Sequence, residues 1–173
     1  EEATDSILDE MFSSLTPNKP LETHLTSCIL SEEEMADDAS DELYQIRKKI
    51  KRAQSRARDQ LDRIIHSSTY AKFLQDQIVT IRDGRFVVPV RAECRGEIKG
   101  LVHDTSASGA TVFVEPMAVV EANNEIRVLE QKERQEIDRI LRQLSEEVGA
   151  YAQTILADYD TILDIDLLFA KAK

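Results

Sequence analysis

The sequence has no tryptophan, and aromatic residues make up only 5% of it. Glycine occurs five times and proline four times in 173 residues, both well below average usage. Sandwiches and barrels need many short strands and the turns between them. A chain this poor in turn-formers and aromatics is expected to build long helices instead. No run of about 18 apolar residues occurs, so no transmembrane helix is expected. The N-terminus is acidic where a secretory signal would be basic, which argues against export. The two cysteines, Cys28 and Cys94, provide neither a disulfide framework nor a metal-ligand spacing. A reducing, cytoplasmic setting is the simple expectation. What the chain does have is 42% hydrophobic residues, too many for a wholly disordered segment, and 32% charged residues.

The formal net charge is −11, which taken alone discourages a nucleic-acid partner. The charge is unevenly placed, however. Residues 1–44 carry one basic and 13 acidic side chains, net −12. Residues 45–103 carry 14 basic and 6 acidic, net +8, and residues 104–173 carry 7 basic and 14 acidic, net −7. A basic middle lies between two acidic flanks, and such asymmetry is more informative than the total.

The expected architecture is mainly α with a small β insertion: a long antiparallel helix pair with a sheet of three or four antiparallel strands at its far end. Residues 13–20 (SSLTPNKP) read as a loop, and a short helix is expected from Leu21 to about Leu30. Residues 1–39 then form a helical base closed by an acidic linker. Residues 40–76 form the first long helix, with Ser40 as N-cap and Asp41 and Glu42 in the first turn. Leu43, Ile46, Ile50, Ala53, Ala57 and Ile64, with Gln60 in one slot, mark a coiled-coil-like seam. The other face carries Arg47, Lys48, Lys49, Lys51, Arg52, Arg56 and Arg58, for which the plainer reading is a solvated helix face.

Residues 77–115 form the sheet. IVTIR (78–82), Asp83-Gly84 and RFVVPVR (85–91) read as a β-hairpin, since Asp-Gly suits a two-residue type I′ turn. Pro89 lacks a donor and is expected at an edge or bulge. EIKGLVH (97–103) and TVFVE (111–115) read as two more strands around the turn DTSASGA. Pro116 suits the first turn of a second helix covering residues 116–173. Its apolar stripe is Ile126, Leu129, Ile137, Ile140, Leu144, Val148, Ile155, Tyr159 and Ile162, and Gly149 marks a place for a kink. Such a helix would span roughly 85 Å. Leu163, Ile165, Leu167, Leu168 and Phe169 make its end apolar nearly all round, so burial by partner helices or a second copy is expected. The chain stops soon after without a cap, which reads as a piece of a larger protein.

Sites of chemistry are few. No lysine precedes Ser or Thr, so the phosphate-binding loop G-x-x-x-x-G-K-[ST] is absent, as is G-x-S-x-G. His24, His66 and His103 are scattered. The run His103–Gly109 holds the residue types of a hydrolase triad. A triad draws them from separate elements, though, and a turn whose side chains bond to its backbone is the better reading. Candidate phosphate contacts are Arg82, Arg85, Arg91, Arg95 and Lys99 on the sheet, with Ser106 and Ser108 in the small-residue turn. Arg85 and Arg91 are expected on opposite faces, so that the sheet is not one flat basic plate. No catalytic, cofactor or metal residue is assigned.

The strings VHDTSASGATVFVEP and DGRFVVPVR, the Asn123-Asn124 pair, ADDASDELYQIRKKI upstream and the terminal DLLFAKAK resemble the second bacterial MutS family, MutS-two. The resemblance implies a fragment: part of a helical core (1–39), a lever of paired helices (40–76 and 116–173) and a clamp (77–115). It implies a dimeric parent whose ATPase domain, with ATP and Mg, and often a C-terminal Smr nuclease domain lie outside these residues. The fragment itself is then not an enzyme and needs no cofactor. Its implied partners are branched DNA, in suppression of recombination, or the ribosome and its rRNA, in rescue of collided ribosomes, with no membrane. A purely structural coiled-coil dimerisation and docking module is the alternative. The resemblance also implies no counterpart of the N-terminal domain by which ordinary MutS reads mismatches, so mismatch recognition is not expected.

Overall fold

A computed structural model describes residues 6–171. Of these, residues 40–136 form one compact unit and the remainder forms another.

The sheet-bearing unit begins where the sequence calls for it. Ser40 is extended, its Oγ accepts the Leu43 N–H at 3.0 Å, and helix α3 follows over Asp41–Ile65. The same hydroxyl donates to Glu136 at 2.7 Å, a carboxylate only 5% exposed. Ser40→Ala therefore removes a cap and one donor to a buried carboxylate. It is expected to lower stability by about 1–2 kcal/mol, read from the urea midpoint.

The buried positions of α3 are Leu43, Ile46, Ile50, Ala53, Ala57, Leu61 and Ile65. The seam thus leaves the expected Gln60 and Ile64 and moves on by one residue: Gln60 is exposed and Ile64 only partly buried. A strict heptad requires supercoiling. A straight helix of period 3.6 drifts about 20° per heptad, which brings Leu61 and Ile65 inward instead. The helix also stops at Ile65 rather than near residue 76. The segment beyond it forms a single 3-10 turn at Ala71–Phe73 and an isolated bridge from Leu74 to Val90.

Four antiparallel strands follow: β1 (Thr80–Arg82), β2 (Arg85–Arg91), β3 (Gly100–Thr105) and β4 (Thr111–Pro116), in the order β1-β2-β4-β3. Asp83 and Gly84 both take positive φ, 50° and 68°, as a type I′ hairpin requires. Pro89 sits in an interior strand, paired with Phe113 of β4. Its carbonyl accepts the Gln75 N–H on the side away from β4, past the point where β1 has ended. The missing donor therefore faces a gap in the ladder and breaks no strand pairing.

Alternation along β2 and β4 turns Phe86, Val88, Val90, Val112 and Val114 to one face. There they bury against Ala53, Ala57, Leu61 and Ile65 of α3, and against Val119 and Ile126 of helix α4 (Met117–Ala150). Burying each such aliphatic side chain contributes about 1.5–3 kcal/mol. Ile98, in the link from β2 to β3, closes the same core. Pro116 ends β4, paired with Gly100, and the second long helix starts one residue later than expected. Arg56 with Glu125, Ile50 with Leu129 and Arg47 with Glu133 show α3 and α4 running antiparallel within this unit.

The other unit contains helices α1 (Ile7–Ser14) and α2 (Lys19–Cys28), the end of α4 and helix α5 (Ala152–Lys171). Residues 7–14, left without a helix by the sequence reading, are helical: Ser6 and Asp9 form a reciprocal capping box. Helix α2 starts at Lys19, so Pro20 lies in a first helical turn, where its missing N–H is harmless. Asp158 accepts from the Thr16 N–H at 3.0 Å, and His24 pairs with Glu147 at 2.8 Å.

The second long helix breaks at Tyr151, just after Gly149, where the Tyr151 N–H turns to Val148 O. Its expected run to Lys173 ends in two positions outside the described residues. The outer half of its stripe is not covered by the described residues: Ile155, Tyr159 and Ile162 are 43%, 59% and 53% exposed. Of the apolar end, Ile165 alone is buried, while Leu163, Leu167, Leu168 and Phe169 face out. No helix among the described residues is long and apolar enough to cross a membrane.

Candidate nucleic-acid interface

The seven candidate residues fall into three kinds of surroundings. Arg82 and Arg85 are engaged internally. Arg85 donates to Glu115 Oε1 at 2.8 Å and to Asn124 Oδ1 at 2.8 Å, and only 14% of its side chain is exposed. Arg82 lies 4.0 Å from the centre of the Phe113 ring and 3.3 Å from Asp104, an arrangement that fixes the guanidinium by stacking and charge together. Both sit on the sheet face opposite the core.

Arg91, Arg95 and Lys99 are exposed and make no ion pair or side-chain hydrogen bond among the described residues. Arg91 ends β2 opposite Thr111, next to the 106–110 turn, and Arg95 lies just past the 3-10 turn Ala92–Cys94. Lys99 is at the opposite end of the sheet, where its carbonyl accepts the Met117 N–H. The expectation that Arg85 and Arg91 point to opposite faces is corrected. Residues six apart on a strand without a bulge share a face, and β2 is paired continuously. Position along the strand separates them: Arg85 is enclosed at one end and Arg91 is open at the other.

Ser106 and Ser108 build the turn. Ser106 Oγ accepts the Thr111 N–H at 3.1 Å and lies 3.3 Å from Ser108 Oγ, which accepts the Ala110 N–H at 3.4 Å. The Ser106 and Gly109 N–H groups also bond inside the turn, and Gly109 takes φ +73°. These hydroxyls accept from the backbone of the turn, as the turn reading expects.

At the centre of the open face lies a carboxylate that sequence reasoning missed. Glu115 is fully buried and accepts from Arg85, from Asn123 at 2.8 Å and from His103 Nε2. Burial pushes its carboxyl up. The hydrogen bonds from Asn123, Arg85 and His103, with the charge of Arg85, outweigh this and hold it below the ordinary carboxylate value. His103 reaches it through a register shift between Val102 and Asp104, which also brings Asp104 opposite Phe113 on the same face. Asn123 stands where β4 has already turned into α4. Its amide exchanges two hydrogen bonds with the Phe86 backbone, at 3.1 and 3.2 Å, in place of a strand neighbour. The network ties the His103 imidazole to a buried carboxylate. Among the described residues no cluster of three metal-ligating side chains occurs. An Asn in a helix and a Glu in an alternating strand carry no local signal of this partnership.

No family model matches the chain. Among curated proteins, it is 47% identical over its whole length to the Endonuclease MutS2 of Ruminiclostridium cellulolyticum, and covers 22% of that protein. It is 47% identical over 98% of its length to the Endonuclease MutS2 of Acetivibrio thermocellus, covering 21%. The match to that of Clostridium perfringens is 44% over the whole chain, covering 22%. The chain thus spans about a fifth of the length of the curated relatives it matches. The likeness covers essentially the whole chain, and by it the chain corresponds to a segment of the MutS2 family proteins.

Proposed function

We propose that this chain is the nucleic-acid-engaging lever and clamp region of a dimeric MutS2 ATPase, acting in the cytoplasm on branched DNA or on stalled, collided ribosomes. In this reading α3 and α4 belong to the lever and the four-stranded sheet is the clamp. ATP, Mg and any endonuclease chemistry belong to parts of the protein outside these residues. The observation that carries the reading is the trio Arg91, Arg95 and Lys99: three solvent-facing cations, without internal partners among the described residues, one at the end of β2 and two on the segment that links it to β3. Arg82 and Arg85, by contrast, are paired within the fold.

The test is a binding titration of the chain against branched DNA and against ribosomes at low and moderate salt. Arg91→Gln, Arg95→Gln and Lys99→Gln together are expected to weaken binding about tenfold or more at low salt and to flatten its salt dependence. Unchanged binding would remove the sheet from the interface. The ratio of the two affinities decides between the two partners.

The exposed apolar side chains of α5, Leu156 at 62% and Tyr159 at 59% among them, favour a second reading, a dimerisation or docking module. Sedimentation over a concentration range tests it, and a strict monomer would remove the dimerisation part.

A further inference from the structure

Residues 43–58 contain seven basic side chains and no acidic one, inside a chain of net charge −11. The fold sorts these seven cations. Arg47 pairs with Glu133 at 2.7 Å, Arg56 with Glu125 at 2.5 Å, and Arg58 lies over the Phe86 ring at 5.4 Å. Lys51 is also engaged. Lys48, Lys49 and Arg52 remain exposed. Lys49 and Arg52 have no partner among the described residues, and Lys48 has only the Tyr44 ring, 5.7 Å away. At steps of three and four these three share one face, turned away from Ile50, Ala53 and Ala57 in the core. Lys49, Arg52 and Arg56, with Ser55 and Glu125, line an open cleft of about 500 Å³ along that face.

Like charges at i,i+3 and i,i+4 destabilise a helix, and here no intervening acid relieves the repulsion. The arrangement therefore weakens the helix and contributes nothing to the core. It suits a ligand that brings its own negative charge. From Lys48 to Arg52 the helix rises about 6 Å. Duplex DNA presents one phosphate per roughly 3.4 Å of axis on each strand, about two charges over the same rise on one strand and three or four with both strands counted. Three cations on one helical turn match a polyanion of that density. We propose that Lys48, Lys49 and Arg52 form a phosphate-backbone contact for duplex DNA on the solvent face of α3, with exposed Tyr44 at its N-terminal end. This site is separate from the sheet cations and stands or falls independently of them.

The experiment compares three forms of the 173-residue chain: unmodified, Lys48→Gln/Lys49→Gln/Arg52→Gln, and the sheet variant Arg91→Gln/Arg95→Gln/Lys99→Gln. A short labelled DNA duplex is titrated at about 50 and 200 mM salt. The helix variant is expected to lose about tenfold or more in affinity at the lower salt. Its slope of log affinity against log salt should be shallower by about two to three units. Relief of the charge repulsion should leave its melting temperature equal or higher, which excludes unfolding as the cause. Loss in the sheet variant alone would overturn the proposal and leave the sheet interface standing, and loss in the helix variant alone would do the reverse. No binding by the unmodified chain at low salt would overturn both. An equally labelled poly-glutamate bound as tightly as the duplex would overturn it in favour of an acidic protein partner. A duplex RNA bound tenfold more tightly would overturn the assignment to DNA.

Discussion

Glu115→Ala is expected to destabilise the sheet-bearing unit by about 3–5 kcal/mol, the usual consequence of removing one partner from a buried ion pair. The carboxylate is fully buried, and three donors converge on it. Alanine leaves the Arg85 guanidinium, 14% exposed, without its counter-charge, and leaves His103 and the Asn123 amide short of an acceptor. The Asn123 amide also holds the Phe86 backbone, so the loss should spread to the β1–β2 hairpin. Hydrogen exchange at Phe86, whose amide bonds Asn123, and at Val87, which pairs with Thr80 of β1, reads that spread. Glu115→Gln keeps an acceptor but not the charge and should fall between the two. An alanine variant within about 1 kcal/mol of the parent would mean that the network does not stabilise the fold.

The same residue gives a pH dependence with a definite sign. Its carboxyl titrates lower in the folded chain than in the unfolded one, so the folded state holds the anion more tightly. The stabilisation is fully present above the ordinary carboxylate value. It is lost as pH falls through the depressed value in the folded state. Many other carboxylates titrate in that range, so the measurement is a difference. Urea midpoints of the parent and of Glu115→Gln should converge as the pH is lowered and separate towards neutrality. A constant gap across that range would contradict the linkage.

Gly100→Ala is the second large effect. A Cβ at this position would stand 2.2 Å from the Glu115 carbonyl oxygen and 2.8 Å from both the Glu115 carbonyl carbon and Val114 Cγ1. Two of these three atoms are backbone in the paired strand, so no rotamer change relieves the clash. Strands β3 and β4 must separate where Gly100 pairs with Pro116. A loss of about 3 kcal/mol or more is expected, at the upper end of overpacking effects. Gly96→Ala is the control: a Cβ there meets nothing within 4 Å. It should be neutral or stabilise by up to about 1 kcal/mol through the unfolded chain. Equal effects at the two sites would show that β3 and β4 are looser than their close approach implies.

The two glycines show how far local sequence reaches. Gly96 precedes the expected strand 97–103 and Gly100 lies within it, but only the neighbouring strand shows which of the two has no room for a Cβ. The hairpin, by contrast, was legible because Asp83-Gly84 meets a conformational requirement within two residues. The start of α3 was legible because Ser40 caps a backbone group three residues away. Helix α1 was missed although its capping box is just as local: Ser6 and Asp9 precede no clear apolar run, and the period was the signal sought. The inward shift to Leu61 and Ile65 was missed because a heptad and a 3.6-residue period differ too little to separate over three turns.

The sequence by itself determined the order of helix, sheet and helix, the hairpin turn, the first long helix's cap and the basic middle of an acidic chain. Each of these depends on backbone preference, periodicity or composition, which act within a few residues. The tertiary structure alone decided which basic residues are available to a partner. Arg82 and Arg85 are taken by Asp104, Phe113 and Glu115, which belong to other strands. Arg47 and Arg56 are taken by carboxylates on α4. An ion pair needs two charges within about 4 Å, and that distance is set by how strands and helices pack. Among the cations without such a partner, Lys48, Lys49 and Arg52 on α3 and Arg91, Arg95 and Lys99 around the sheet become visible as two groups only after these four have found theirs.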